Sequence, residues 1–315
     1  MRRIGWLVTA LVVVFGVTVF ASLRVIDGIG QSASASTRQP AAPGTRQLVK
    51  APAASAPGTT TKTYSMKVSG LNRSYQVITP VKALPKSAPV IVMLSGFGST
   101  VAQEESRDQL VPYAAAGQAE IVYPVAVGES WNAVGCCGYA NTHHVNDLAF
   151  LKALMAGVDP GNQRSSYLVG YSNGARLAYR VACTTPGLFD GYAAVKGVPL
   201  PGCAVTKPVT LLQLASVNDP EIPYQPGDKG LEPLPVTTLL ARLRTAEKCP
   251  DTSAVTHSGG MTLTTWAGCG SGARLGLALW QGGVHSFPRP PASEPAAAQV
   301  IWSFFTKTAL APIPR

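Results

Sequence analysis

The chain has 315 residues, 46% of them hydrophobic and 13% charged, enough for one domain of about 250 residues with a buried core plus a tail. Its net charge of +10 is concentrated at one end: residues 1–73 carry nine Lys or Arg and one acid, Asp27, whereas the remainder carries 17 basic and 15 acidic groups. The globular part is close to neutral and builds no contiguous basic face for a phosphate backbone, which argues against a nucleic-acid partner.

The N-terminus reads as an export signal. "MRR" supplies a positive start, and Trp6 to Leu23 is an almost uninterrupted apolar run of 18 residues, longer than the about 7 to 15 of a signal-peptide core and close to bilayer-spanning length. Residues 1–30 are therefore expected to be a signal peptide or an uncleaved signal anchor. Either reading puts the rest of the chain outside the cytoplasm, secreted or membrane-anchored. Residues 31–61 are rich in Ala, Ser, Pro, Thr and Gly, without sustained periodicity, and are expected to be a disordered linker. The folded domain is expected to span 62–315.

Within it, "TYSMKVSG" and "RSYQVIT" predict two short antiparallel strands. "PVIVMLSG" and "AEIVYP" are apolar runs of the kind found in strands buried on both faces. "HVNDLAFLKALMAGV" has helical spacing through Val145, Leu148, Leu151 and Leu154. "SSYLVGY" predicts a strand and "NGARLAYRVAC" a helix; "GYAAVKG" and "PVTLLQLAS" follow as strands. "PVTTLLARLRTAEKC" predicts a helix, "MTLTTWAG" and "ARLGLALWQ" strands, and "AAAQVIWSFFTKTAL" a closing amphipathic helix. The alternation implies an α/β fold with a mostly parallel central sheet and helices on both faces.

One turn carries chemistry. Ser172 stands between Gly170 and Gly174 where a strand gives way to a helix. This G-x-S-x-G pattern marks a nucleophile elbow, too sharp for larger residues on either side of the serine. A serine hydroxyl is inert without a base, and the base needs a carboxylate to hold its tautomer. Of the two histidines after Ser172, His257 precedes a predicted strand, whereas His285 follows one, on a glycine-loosened loop; His285 is the expected base. Asp219 directly follows "VTLLQLAS" and is the expected acid, with Glu221 its close rival. The order Ser, Asp, His is that of the α/β-hydrolase fold. The oxyanion donors expected are the amides of Asn173, which opens a helix, and of Phe97 in "MLSGFGST".

All six cysteines, Cys136, Cys137, Cys183, Cys203, Cys249 and Cys269, lie in the globular part. An even count in an exported chain predicts disulfides in an oxidising compartment. There is no C-x-x-C pair, and adjacent cysteines spread poorly around a tetrahedral ion, so no metal and no cofactor are expected.

Together "VIVMLSGFGS", "YPVAVGESWNAVGCCG", "VNDLAFLKAL", "GYSNGARLAYRVAC", "FDGYAAVKG", "NDPEIPY" and "GGVHSFP" resemble, in order across the domain, the extracellular polyhydroxybutyrate depolymerase and feruloyl/acetylxylan esterase group of α/β hydrolases. The resemblance implies Ser172, Asp219 and His285 as a triad, Phe97 and Asn173 as oxyanion donors, and Trp131 as a substrate-contacting aromatic, the alternative for Trp131 being a core tryptophan beside a disulfide. Tyr171, beside the serine, is the other expected substrate contact. The resemblance also suggests pairing Cys249 with Cys269 and Cys183 with Cys203, leaving Cys136 and Cys137 as a vicinal disulfide or in another pairing. Ser95-Gly96 stands where the family usually has His-Gly. The expected activity is an exported serine esterase acting on a small or soluble ester, with polyester or polysaccharide esters as further substrates. The alternatives are acyl transfer on the same fold and a non-catalytic tethered binding domain.

Overall fold

The structure, a computed structural model, describes residues 46–49, 56–199, 203, 207–232, 234–289, 291 and 293–314. The chain begins with β1 (Gln47–Val49), β2 (Thr59–Val68), β3 (Leu71–Pro80) and β4 (Val90–Leu94), then α1 (Val101–Asp108), α2 (Val111–Ala115) and β5 (Glu120–Pro124). Next come α3 (Gly138–Thr142), α4 (Asp147–Val158), β6 (Ser166–Tyr171), α5 (Asn173–Thr184), β7 (Gly191–Val195) and β8 (Thr210–Ser216). The last part holds α6 (Val236–Ala246), β9 (Ala254–Ser258), β10 (Met261–Trp266), β11 (Leu275–Trp280) and α7 (Ala297–Thr306).

The strands form one sheet in the order β1-β2-β3-β5-β4-β6-β7-β8-β11-β10-β9. From β5 to β11 neighbouring strands are parallel, and the strands outside that block pair antiparallel. The expected mostly parallel sheet is therefore present at its centre. Strand β4 shows how the apolar run builds two cores. Val90, Val92 and Leu94 pack on one face, with Phe150, Leu151 and Leu154 of α4 and Leu239, Leu240 and Leu243 of α6 in the same cluster. Ile91 and Met93 turn to the other face, where Tyr113 of α2 and Val300, Ile301 and Phe304 of α7 close the layer. Side chains alternate across a strand, so a continuous apolar run fits only where both faces are covered.

The chain order changes direction around β4, which lies between β5 and β6. Leu94, the last residue of β4, is in register with Gly170 near the end of β6. Loops leaving the carboxyl ends of these two strands therefore meet side by side, the position where open α/β sheets carry their ligand sites.

One boundary differs from the sequence expectation. Gln47–Val49 pairs antiparallel with Thr63–Ser65, and β2 already starts at Thr59, so ordered strand reaches into the stretch read as linker. Backbone pairing along an edge needs little apolar content, which is why composition did not reveal it. Residues 1–30, read as signal peptide or anchor, lie outside the described residues. Among the described residues no helix is long and apolar enough to cross a membrane.

Candidate active site

Ser172 links β6 to α5 with φ 50° and ψ −112°, in the region that L-residues rarely occupy. Glycines surround it for a steric reason. A Cβ on Gly170 would lie 2.3 Å from the Gly174 carbonyl oxygen, and one on Gly174 would lie 2.5 Å from the Leu94 oxygen. Gly197 is equally confined, its Cβ position being 2.8 Å from the Ser172 oxygen. The turn is thus wedged between β4, β7 and its own helix.

His285 follows β11 and brings Nε2 to 2.9 Å from Ser172 Oγ. Its Nδ1 lies 3.1 and 3.2 Å from the two carboxylate oxygens of Asp219. Asp219 accepts only donors, so Nδ1 carries hydrogen in the neutral ring and Nε2 is left to accept from the serine hydroxyl. The hydroxyl of Tyr171 donates to the His285 carbonyl at 2.9 Å and holds the loop from below.

Asp219 is buried, in the turn after β8, and its Oδ1 also accepts the amides of Glu221 and Ile222. Burial works against its charge, but the hydrogen bond from His285, the Glu221 amide and the nearby Lys196 ammonium hold the carboxyl below its ordinary range. Lys196 Nζ lies 3.3 Å from Asp219 Oδ2. Glu221 is not at the orienting nitrogen: its Oε2 lies 3.4 Å from His285 Nε2, on the serine side. Two further carboxylates between Ser172 and His285 are engaged elsewhere, Asp190 with the Ser166 amide and Asp251 with Arg244. His257 lies on β9 and contacts Thr262.

The loop after β4 passes close to the serine, since a Cβ on Gly96 would be 3.6 Å from Ser172 Cβ. Gly98 and Ser99 donate to Glu129 O and Gly96 O, whereas the Phe97 amide has no backbone partner among the described residues. Asn173 supplies the first amide of α5, which has no carbonyl a turn earlier in the helix.

Trp131 is fully buried, with its indole N–H donating to the Ser95 carbonyl at 3.0 Å and its amide donating to Asn173 Oδ1 at 2.7 Å. It ties the loop after β4 to the start of α5. Tyr171 is 7% exposed, its ring packed where a Cβ on Gly96 would clash. The surrounding motif is scaffold too. Asn132 donates from its amide to Asp147 Oδ2 at 2.7 Å, and Asp147 Oδ1 pairs with Arg73 at 2.8 Å, all buried. Burial pushes the Asp147 carboxyl up, against the opposing pull of Arg73.

Two site-adjacent charges escaped the sequence reading, Lys196 and Glu104. Glu104 Oε2 accepts the Gly96 amide at 3.3 Å, one residue from the expected donor Phe97. Burial pushes its carboxyl up to about 7, with Arg107 and the Gly96 amide opposing. The available signal was slight: a charge just past an apolar strand in "AAVKGV", and an acid in a polar helix.

The disulfides are Cys136–Cys137, Cys183–Cys203 and Cys249–Cys269. Cys137 Sγ and the Cys136 carbonyl lie beside Asn173 Nδ2, so the vicinal pair borders the site. The residues nearest to a metal-ligand cluster, Glu247, Cys249 and Cys269, include two sulfurs already bonded to each other.

Fold and topology are those of an α/β hydrolase. The chain superposes on an acetyl xylan esterase from Paenibacillus sp. R4 with a TM-score of 0.56 at 10% identity, covering 85% of this chain and 90% of that one. It superposes on the structure described as native sOPH with a TM-score of 0.51 at 14% identity, covering 82% and 92%. In sequence it resembles the feruloyl and acetylxylan esterase group. It is 27% identical over 175 residues to feruloyl esterase C of Emericella nidulans, covering 53% of this chain and 60% of that protein. It is 30% identical over 190 residues to NocK of Nocardia uniformis subsp. tsuyamanensis, whose name proposes an esterase, covering 57% of this chain and 53% of that protein. The chain thus spans little more than half the length of these curated relatives. No protein-family model matches it.

Proposed function

We propose that this chain is an exported serine esterase that cleaves carboxylic esters through an acyl-enzyme. The observation that carries the reading is the unbroken hydrogen-bonded series from Ser172 Oγ through His285 to Asp219 at a positive-φ elbow. The name of the Emericella nidulans relative suggests a feruloyl ester as the substrate class.

In this reading Ser172 Oγ attacks the ester carbonyl while His285 Nε2 takes the hydroxyl proton. Asp219 stabilises the resulting imidazolium without itself taking the proton. The amides of Phe97 and Asn173 receive the charge on the former carbonyl oxygen, each donor being worth about a hundred- to a thousand-fold in rate. Collapse breaks the bond to the alcohol, which leaves with the proton from Nε2. His285 then deprotonates a water that attacks the acyl carbon, releasing the acid and restoring Ser172. An aromatic acyl group has apolar surface to rest on, because Phe97 and Tyr139 are 55% and 49% exposed and Phe97 packs over Gly138 beside Tyr139.

The test is hydrolysis of acetyl, butyryl, hydroxybutyryl and feruloyl esters by the full chain with disulfides intact. Ser172→Ala and His285→Ala should each lower kcat/KM by roughly a thousand-fold or more. Wild-type rates in both variants would refute the reading, and product appearing only with an added acceptor alcohol would reassign it to acyl transfer.

A further inference from the structure

Lys196 has no part in the steps above, yet it is one of the most deeply buried charges in the molecule. It follows β7 with its side chain 1% exposed and its backbone at φ 53°. Its Nζ makes two contacts: Asp219 Oδ2 at 3.3 Å and the Val284 carbonyl at 3.1 Å. Val284 immediately precedes His285. One ammonium thus bridges the carboxylate that orients the imidazole and the loop that carries it. The neighbouring backbone fixes the place, since the Lys196 amide donates to Leu214 O in β8 and Gly197 abuts the Ser172 carbonyl.

A lysine in such a position costs desolvation that a neutral side chain would avoid. Burial pulls its ammonium down and the Asp219 carboxylate holds it charged. We propose that Lys196 is a positioning residue that clamps Asp219 to the His285 loop, so that the carboxylate stays at Nδ1 while Nε2 meets Ser172.

Other groups hold the imidazole as well. Asp219 approaches Nδ1 from the turn after β8, Glu221 approaches Nε2 from the same turn, and Tyr171 reaches the backbone carbonyl from β6. Arg107 of α1 lies over the Tyr171 ring, 5.5 Å from its centroid. Of these groups Asp219 is the one that Lys196 contacts, so removing the ammonium frees the carboxylate and the loop while leaving Glu221, Tyr171 and Arg107 in place. The inference rests on the esterase reading for its catalytic consequence, but not for its measurement.

The experiment uses the full chain with Lys196→Met, which removes charge and donor, and Lys196→Gln, which removes the charge but keeps a donor. The low-field proton resonance of the His285 Nδ1–H that Asp219 accepts is recorded by NMR. The chain has four histidines, and His285→Ala identifies the signal. Both variants should shift or lose that resonance, and kcat should fall by roughly ten-fold or more with KM within about two-fold of wild type. Lys196→Gln, which keeps a donor for the Val284 carbonyl, should retain more of kcat than Lys196→Met. An unchanged resonance and kcat in a folded variant overturn the proposal. If wild type shows no Ser172-dependent hydrolysis, the esterase reading fails while the NMR resonance still decides the role of Lys196. Should both single variants fail to fold, the pair Lys196→Met with Asp219→Asn is compared with them. Recovered folding supports the pairing, and continued failure contradicts it.

Discussion

Ser172 and Trp131 sit in the same small region but teach different lessons about what a side chain is for. Ser172 occupies an unfavourable φ because Gly170, Gly174 and Gly197 let three backbones close around it. Gly174→Ala should therefore lower stability by about 2 kcal/mol or more and abolish activity, because its Cβ would meet the Leu94 and Ser95 carbonyls; thermal unfolding and ester turnover measure both. Trp131→Phe removes the indole donor to Ser95. It should lower kcat more than it raises KM, since the loop bearing Phe97 loses a tether rather than a substrate contact; steady-state kinetics on the best ester checks this. That Ser172, Asp219 and His285 meet could be expected from sequence because each stands in a loop directly after an apolar strand. Trp131 stayed open between contact and core because a tryptophan in a glycine-flanked loop has the same local sequence whether it faces solvent or the interior. Glu104 and Lys196 were missed because their partners, Gly96 and Asp219, are brought near only by the fold.

At the level of elements, long strands and helices were visible and short helices were not. α4, α5, α6 and α7 show apolar spacing over ten or more residues, whereas α1, α2 and α3 have eight, five and five residues, too few turns to establish a period. The "SWN…VND" segment is part of what resembles the esterase group. It is a clamp in which Asn132, Asp147 and Arg73 join the loop after β5, α4 and β3. Breaking a buried ion pair leaves an uncompensated charge. Asp147→Ala should therefore cost about 3 kcal/mol or more in denaturant unfolding, a much larger effect than any change at the exposed Arg244–Asp251 pair.

For the molecule as a whole, the near-neutral domain hides several buried acids, Glu104 and Glu247 among them, whose titration bears on stability. Burial raises Glu104 to about 7 and Glu247 to about 8, from an ordinary value near 4.5. The folded state therefore holds these protons more tightly than the unfolded chain does. Their contribution is fully present below about pH 4.5 and is lost as pH rises through 7 and 8. Asp219 acts the other way, its lowered value favouring the fold as pH rises above the ordinary aspartate range. Denaturant midpoints should fall between pH 5 and pH 9, and Glu247→Gln should flatten the fall by on the order of 3 kcal/mol; an unchanged slope would contradict the burial argument.

Acylation of Ser172 during turnover is the step on which the esterase proposal stands. The direct measurement is rapid-quench incubation of the full chain with a feruloyl or acetyl ester, followed by peptide mass spectrometry. One acyl adduct is expected on the peptide containing Ser172, lost in Ser172→Ala. Undiminished ester turnover by Ser172→Ala, with no adduct at that peptide, would contradict it.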